Sequence, residues 1–314
     1  MEYRKLISFG KNSFVATLPK SWVVQHKLKK GDLIYIEENG PNLIISMKEN
    51  DQNNEDKEKT IIIDGKDKDW LEREVCSAYI NNYRKILLKG KEIKGKVREI
   101  QKIIQNLIAL EIMEQNTDTI IARDFLNMDT VSVIELIRKM DVVTRTMIKE
   151  CYDLFEDDNY ESLNLRDQDV NRLYFLLYRS VLYNMENPMK AMKHFKLNSR
   201  KLLRMQFTGF YIEAIADETR RIARFLHNSK NLSPNNKKDI VSLIKKLHDY
   251  YSDTMKASYN DDVESALKYS VRKAELFKMI KLFVDTEMNG AVSHLQRMTG
   301  LIHNLGRIIY TSGV

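Results

Sequence analysis

The run DVNRLYFLLYRSVLYNM (169–185) decides the fold class. It spaces Val170, Leu173, Tyr174, Leu177, Val181 and Asn184 three or four positions apart, one face of an amphipathic helix with an antiparallel neighbour. Pro188 ends this helix, because the residue before a proline is barred from helical geometry. Upstream, TVSVIELIRKMDVVTRTMIKECYDLF (130–155) reads as a helix starting at Thr130, with the Asp129 carboxylate as its cap, and running to about 156. Downstream lies a long basic helix, SRKLLRMQFTGFYIEAIADETRRIARFL (199–226), and then a break at NLSPNN (231–236). Three more helices are expected, near 236–258, 261–286 and 288–309. The pattern is therefore two three-helix bundles in tandem, 129–230 and 231–314.

Composition agrees with a mainly α, multidomain protein. The 314 residues suffice for two or three domains with cores, and four prolines and eleven glycines favour long uninterrupted helices. No apolar stretch reaches the ~18 residues that span a bilayer, and the N-terminus lacks an apolar leader, so a cytoplasmic protein without membrane insertion is expected. Cys76 and Cys151 stand alone, with no metal or redox spacing, and read as reduced thiols. No phosphate-cradling GxxxxGK[ST] loop and no nucleophile–base–orienter set occurs, which argues against an enzyme. A metallohydrolase using Glu213 and Asp217 finds no further support.

The first 128 residues differ in character. RKLISF (4–9), SFVATL (13–18), DLIYIEE (32–38) and NLIISM (42–47) are short β-rich runs, and ENGP (38–41) closes the last two into a hairpin. Net charge is +7, and residues 1–48 carry eight lysines and arginines against four acids. That distribution permits a nucleic-acid partner. ENDQNNEDKEK (49–59) is polar and acidic and reads as a linker. In 60–128, strands at TIIID (60–64) and RKILLKG (84–90) alternate with helices in 69–83 and 92–108, and the strand pair ALEIMEQ and TIIARD follows. This is a small α+β domain.

Two resemblances follow. Arg4-Lys5, FGKNSF (9–14), SFVATLPK (13–20), SWVVQHKL (21–28) and LKKGDLIYIEENGPNLIISM (28–47) resemble the AbrB/SpoVT family of swapped-hairpin DNA-binding domains. The resemblance implies a dimeric β-barrel interleaved from two chains. It points to Arg4, Lys5 and Lys11, with Asn12, Ser13 and Lys20, as residues facing DNA. A unit this small can hardly bury a core alone, which also favours a partner copy. The same barrel serves some proteins only for dimerisation.

RDQDVNRLYFLLYR (166–179) and YIEAIADETRRIA (211–223) resemble the PhoU family of phosphate-uptake regulators, which carry tandem three-helix bundles. The order of a swapped-hairpin domain, an α+β insert and these bundles resembles archaeal phosphate uptake regulators. In the family, acid-x-x-x-acid pairs on neighbouring helices bind metal clusters. The matching positions here are Glu213 with Asp217, and Asp167 with Asn171, where an amide replaces the second acid. The resemblance thus implies a divalent or ferric ion at a degraded site in the first repeat. In the second repeat Gln296 and Gly300 fall at the places of Glu213 and Asp217.

On a helical wheel the pair Glu213 and Asp217 lies on a flank, away from a stripe of Phe207, Tyr211, Ala214, Ile222 and Phe225. Arg220 and Arg221 there offer a salt-bridged surface as the alternative to a metal. Two functions stay open. One is a DNA-binding transcriptional regulator of phosphate uptake, with the bundles sensing or docking. The other is a regulator that docks on the ATPase of a phosphate ABC transporter, with the N-terminal barrel only dimerising.

Overall fold

The computed structural model describes residues 3–11, 13–39, 42–46, 57–229, 232–284 and 286–311. The chain divides into two compact units, residues 1–55 and 56–314. In the first, β1 (Ile7–Phe9) pairs antiparallel with β2 (Ser13–Val15), with Gly10 at φ +71 in the left-handed region the turn demands. Helix α1 (Lys20–Gln25) follows directly after Pro19. A second hairpin joins β3 (Tyr35–Asn39) to β4 (Asn42–Ser46), and the Gly40-Pro41 turn expected between them lies outside the described residues. The described side chains of this unit include no buried one, and Ile7, Phe9 and Phe14 are largely exposed. Among the described residues the two hairpins are separate two-stranded sheets.

The second unit begins with a four-stranded sheet ordered β5-β6-β8-β7, built from β5 (Glu58–Ile62), β6 (Lys85–Lys89), β7 (Leu110–Gln115) and β8 (Thr119–Asp124). β5 and β6 are parallel, and the other neighbours are antiparallel. Helices α2 (Lys68–Ile80) and α3 (Ile93–Gln105) cover one face, where Ile61, Ile63, Ile86, Leu88, Ile120 and Ala122 close a core. Strand β5 starts at Glu58, inside the stretch read as linker. Glu58 faces Lys85 at 3.0 Å, and the Lys57 carbonyl accepts from the Arg84 amide, so sheet pairing captures these polar residues. Residues 49–56 of that stretch lie outside the described residues.

The helical part corrects three expectations. No helix starts at Thr130: Met128–Thr130 is a single turn, and α4 (Val133–Asp153) begins behind Ser132, whose hydroxyl accepts from the Glu135 amide. Asp129 is engaged elsewhere, accepting from the Tyr183 hydroxyl (2.6 Å) and from Lys190. Helix α5 (Tyr160–Glu186) stops before Pro188, and a short turn, α6 (Pro188–Lys190), leads through Ala191–Phe195 into α7 (Ser199–Asn228). Next comes α8 (Pro234–Tyr259). The expected helix 261–286 is two helices, α9 (Val263–Ser270) and α10 (Arg272–Lys281), before α11 (Asn289–Thr311). At the break the Ser270 hydroxyl donates to the Leu267 carbonyl (2.6 Å), competing for the acceptor that the next amide would use.

The third correction concerns the phase of α7. Its buried face includes Leu202, Thr208, Gly209, Ile212, Ile215, Glu218, Thr219, Ile222 and Leu226; it shares Ile222 with the stripe read from the sequence but otherwise lies one position on, with Tyr211 and Phe225 at its edge. Small and polar residues carry this face because α5 approaches closely. A Cβ at Gly209 would overlap Leu177 Cδ2. α4, α5 and α7 pack together, α8 to α11 form a second group, and α7 against α11 and α4 against α8 join the two.

The α+β layer is fixed to α5 by a fully buried cation. Arg179 donates to Asp124 (2.6 Å) and to the Asn82 amide oxygen (2.9 Å), and lies 4.5 Å from the Tyr79 ring centroid. Removing one partner strands the other charge in the interior. Arg179→Ala is expected to lower unfolding free energy by about 3–5 kcal/mol in urea titration. The surface substitution Arg138→Ala should stay within about 0.5 kcal/mol.

Candidate functional site

The carboxylates singled out in the sequence lie along α7 and the facing part of α5. Asp167 is 7 % exposed, and its Oδ2 sits 2.9 Å from Arg220 Nε. Arg220 also donates to Asp217 (2.6 Å), so one guanidinium bridges the two acids across the helix pair. The other Asp217 oxygen faces Arg221 (2.6 Å). Arg221 in turn donates to Glu218 (2.9 Å), which is 1 % exposed. Glu218 further meets His294 Nδ1 (2.8 Å) and Arg297 Nε (3.2 Å), both on α11. The result is a continuous ionic seam from α5 through α7 to α11.

Glu213 stands apart within this seam. It is half-buried, and among the described residues no donor is hydrogen-bonded to it. Burial and the neighbouring charges of Asp217 and Asp167 push its carboxyl up to about 7. Burial also raises Asp167, with Arg220 opposing. Tyr174 is pushed up to about 12 by burial and then by the Glu213 charge. Asn171 is not drawn into the seam: it lines a polar cleft of about 670 Å³ together with Gln168, Arg172, Lys68 and Lys102, where α2 and α3 meet α5.

A hard cation needs several oxygen ligands converging on one point. Here Arg220 and Arg221 already hold the oxygens of Asp167 and Asp217, and Asn171 lines a different cleft. Among the described residues, no group of three or more His, Cys, Asp or Glu side chains is placed to hold a metal ion. The donor set as arranged does not fit the metal that the resemblance implies.

Glu218, which the sequence reading does not single out, carries much of the seam. A signal was available: Ile215, Glu218 or Thr219, and Ile222 follow the three-four spacing of the buried face. His294 gave no such signal, because its partner lies 76 positions away.

Of the cations expected to face DNA, Arg4, Lys5 and Lys11 are exposed in the first unit. Ser13 opens β2 and Lys20 opens α1, both exposed, while Asn12 lies outside the described residues. None of the described helices is long and apolar enough to cross a membrane.

Residues 137–226, from the second turn of α4 almost to the end of α7, match the model of the PhoU domain. That stretch spans the three helices of the first bundle and contains Asp167, Glu213, Asp217 and Glu218. No curated protein and no solved structure matches the chain.

Glu213 makes stability depend on pH in a definite direction. The folded chain keeps this proton up to about 7, whereas the unfolded chain releases it near 4.5, so stability falls as pH rises through that window. Glu213→Gln is therefore expected to raise stability at pH 8 by about 1–2 kcal/mol, solvent screening included, and to change little at pH 4. Urea unfolding of both proteins at the two pH values measures the difference.

Proposed function

We propose that the protein is a regulator of phosphate homeostasis that binds DNA through a pair of its N-terminal units. One observation carries the first half: the PhoU-like stretch coincides with a complete helical bundle. For the second half, support comes from the character of residues 3–46. This unit exposes Leu6, Ile7, Phe9, Phe14 and Leu33, the mark of a half-module completed by a second copy. Pairing would cover this apolar surface and bring two sets of Arg4, Lys5, Lys11 and Lys20 together. The bundles then serve as the sensing or docking part, and the homodimer holds two DNA contacts at high effective concentration.

Two copies of three or four cations would neutralise about 6–8 phosphates, so affinity for duplex DNA should fall on the order of a thousandfold between about 50 and 200 mM salt. The test is fluorescence anisotropy of the full-length protein on a promoter fragment of a phosphate-transport operon. A variant combining Arg4→Ala, Lys5→Ala and Lys11→Ala runs alongside. Salt-sensitive binding that the variant loses is the expected result. Equal, negligible binding by both would overturn the DNA reading. Docking on the ATPase of a phosphate ABC transporter, with the N-terminal pair only dimerising, would then take its place.

A further inference from the structure

Strand β5 forms one edge of the sheet, and its outer side opens onto a groove of about 900 Å³ walled by α2. In a parallel ladder, alternate residues address alternate sides. The Lys57 carbonyl accepts from the Arg84 amide (2.9 Å), and the Ile63 amide donates to the Lys89 carbonyl (2.9 Å), so odd-numbered residues of β5 face β6. Glu58, Thr60 and Ile62 therefore turn their amides and carbonyls to the open edge. No described strand pairs with them. Such an edge is a template for another extended chain.

The groove beside this edge is chemically selective. Trp70 and Ile62 are 57 % and 52 % exposed and provide apolar contact. Four cations line it, Lys57, Lys59, Lys66 and Arg73, against two carboxylates, Glu74 and Glu186. Glu74 is already committed. Lys66 donates to it (2.6 Å), as does Trp70 Nε1 (3.0 Å), and these bonds outweigh partial burial and hold its carboxyl below the usual value. Among the described residues, Lys57, Lys59 and Arg73 form no close ion pair; Lys59 adds only a longer-range attraction to Glu74 and lies 5.9 Å over the Tyr83 ring.

We propose that this groove binds an extended, acidic peptide segment of a partner protein as an added strand along β5. Main-chain bonds to Glu58, Thr60 and Ile62 would supply affinity, while Lys57, Lys59 and Arg73 would select acidic side chains. A second copy of the chain fits less well. Edge-to-edge pairing of two β5 strands would set the same cations against one another. Apart from Glu186, this site lies outside the PhoU-like stretch and does not depend on the function proposed for the bundles or for the N-terminal unit.

The test uses full-length protein and a fluorescein-labelled peptide of sequence Glu-Val-Glu-Val-Asp-Val-Glu, with a counterpart carrying Lys at every acidic position. The acidic peptide is expected to bind at least about tenfold more tightly than the basic one, less so at high salt. Lys59→Glu combined with Arg73→Glu should weaken binding about tenfold or more. Thr60→Pro removes only the outward amide and leaves the β6 ladder intact, so the fold should persist by circular dichroism while binding is lost. Bound peptide should slow hydrogen exchange at Thr60 and Ile62 but not at Lys59 or Ile61, which β6 already protects. No binding of the acidic peptide, equal binding of the basic one, or binding indifferent to both variants would overturn the proposal.

Discussion

The second unit turns on a single buried guanidinium. Arg179 is fully enclosed and reaches three parts of the α+β layer: the end of α2 through Tyr79, the following turn through Asn82, and the end of β8 through Asp124. Asn82 sits at φ +59, a left-handed position that asparagine tolerates better than most residues, and this aims its oxygen at Arg179. Asp124 is shared with Arg84, whose Nε lies 3.2 Å away, and also accepts from the Leu126 amide. Desolvating these charges is costly unless they meet their partners, so the placement of the layer on α5 is tied to these contacts. Apolar packing of the same area would hold it as strongly and orient it less.

That orientation has a consequence for the groove at β5. Glu186 lies seven residues beyond Arg179, two helical turns on and therefore on the same face of α5. Arg179 anchors this face against α2, and Glu186 then falls at the rim of the groove between β5 and α2. The bundle thus contributes a wall to a cleft whose floor belongs to the sheet. A displacement of α5 would alter the orientation of the α+β layer and the charge of the groove together.

Much of this architecture was legible in the sequence, because long helices announce themselves by period and proline. DVNRLYFLLYRSVLYNM and its stop at Pro188 fixed α5 without reference to anything distant, and the strands β5 to β8 stood out as β-rich runs between two helical patterns. What escaped was decided by long-range partners. Asp129 looks like a helix cap until Tyr183 and Lys190 claim it. Glu58 and Lys59 look like linker until β6 pairs with them. The phase of α7 was misread because its buried face uses Thr208, Gly209 and Thr219, chosen for close approach to α5, while Phe207 and Phe210 remain about half exposed. Arg179 was invisible for the same reason. A charged residue among Leu176, Leu177 and Val181 reads as a surface position, and only the juxtaposition of Asp124 and Asn82 makes it a core one.

The same logic explains why the carboxylates of α7 form an ionic seam. A four-residue acidic repeat places two like charges one turn apart, and something positive must compensate them. In this chain two arginines three and four positions further along α7 do so from within the same helix, and Arg220 extends the compensation to Asp167 on α5. Glu218 completes the seam toward α11, where His294 and Arg297 meet it. On α11 Gln296 and Gly300 are uncharged, so no acidic pair requires compensation there. At this contact α7 supplies the carboxylate and α11 the nitrogen donors. Among the described residues, Glu213 is the acid of the seam with no ion pair, and burial together with the charges of Asp217 and Asp167 pushes its carboxyl up to about 7.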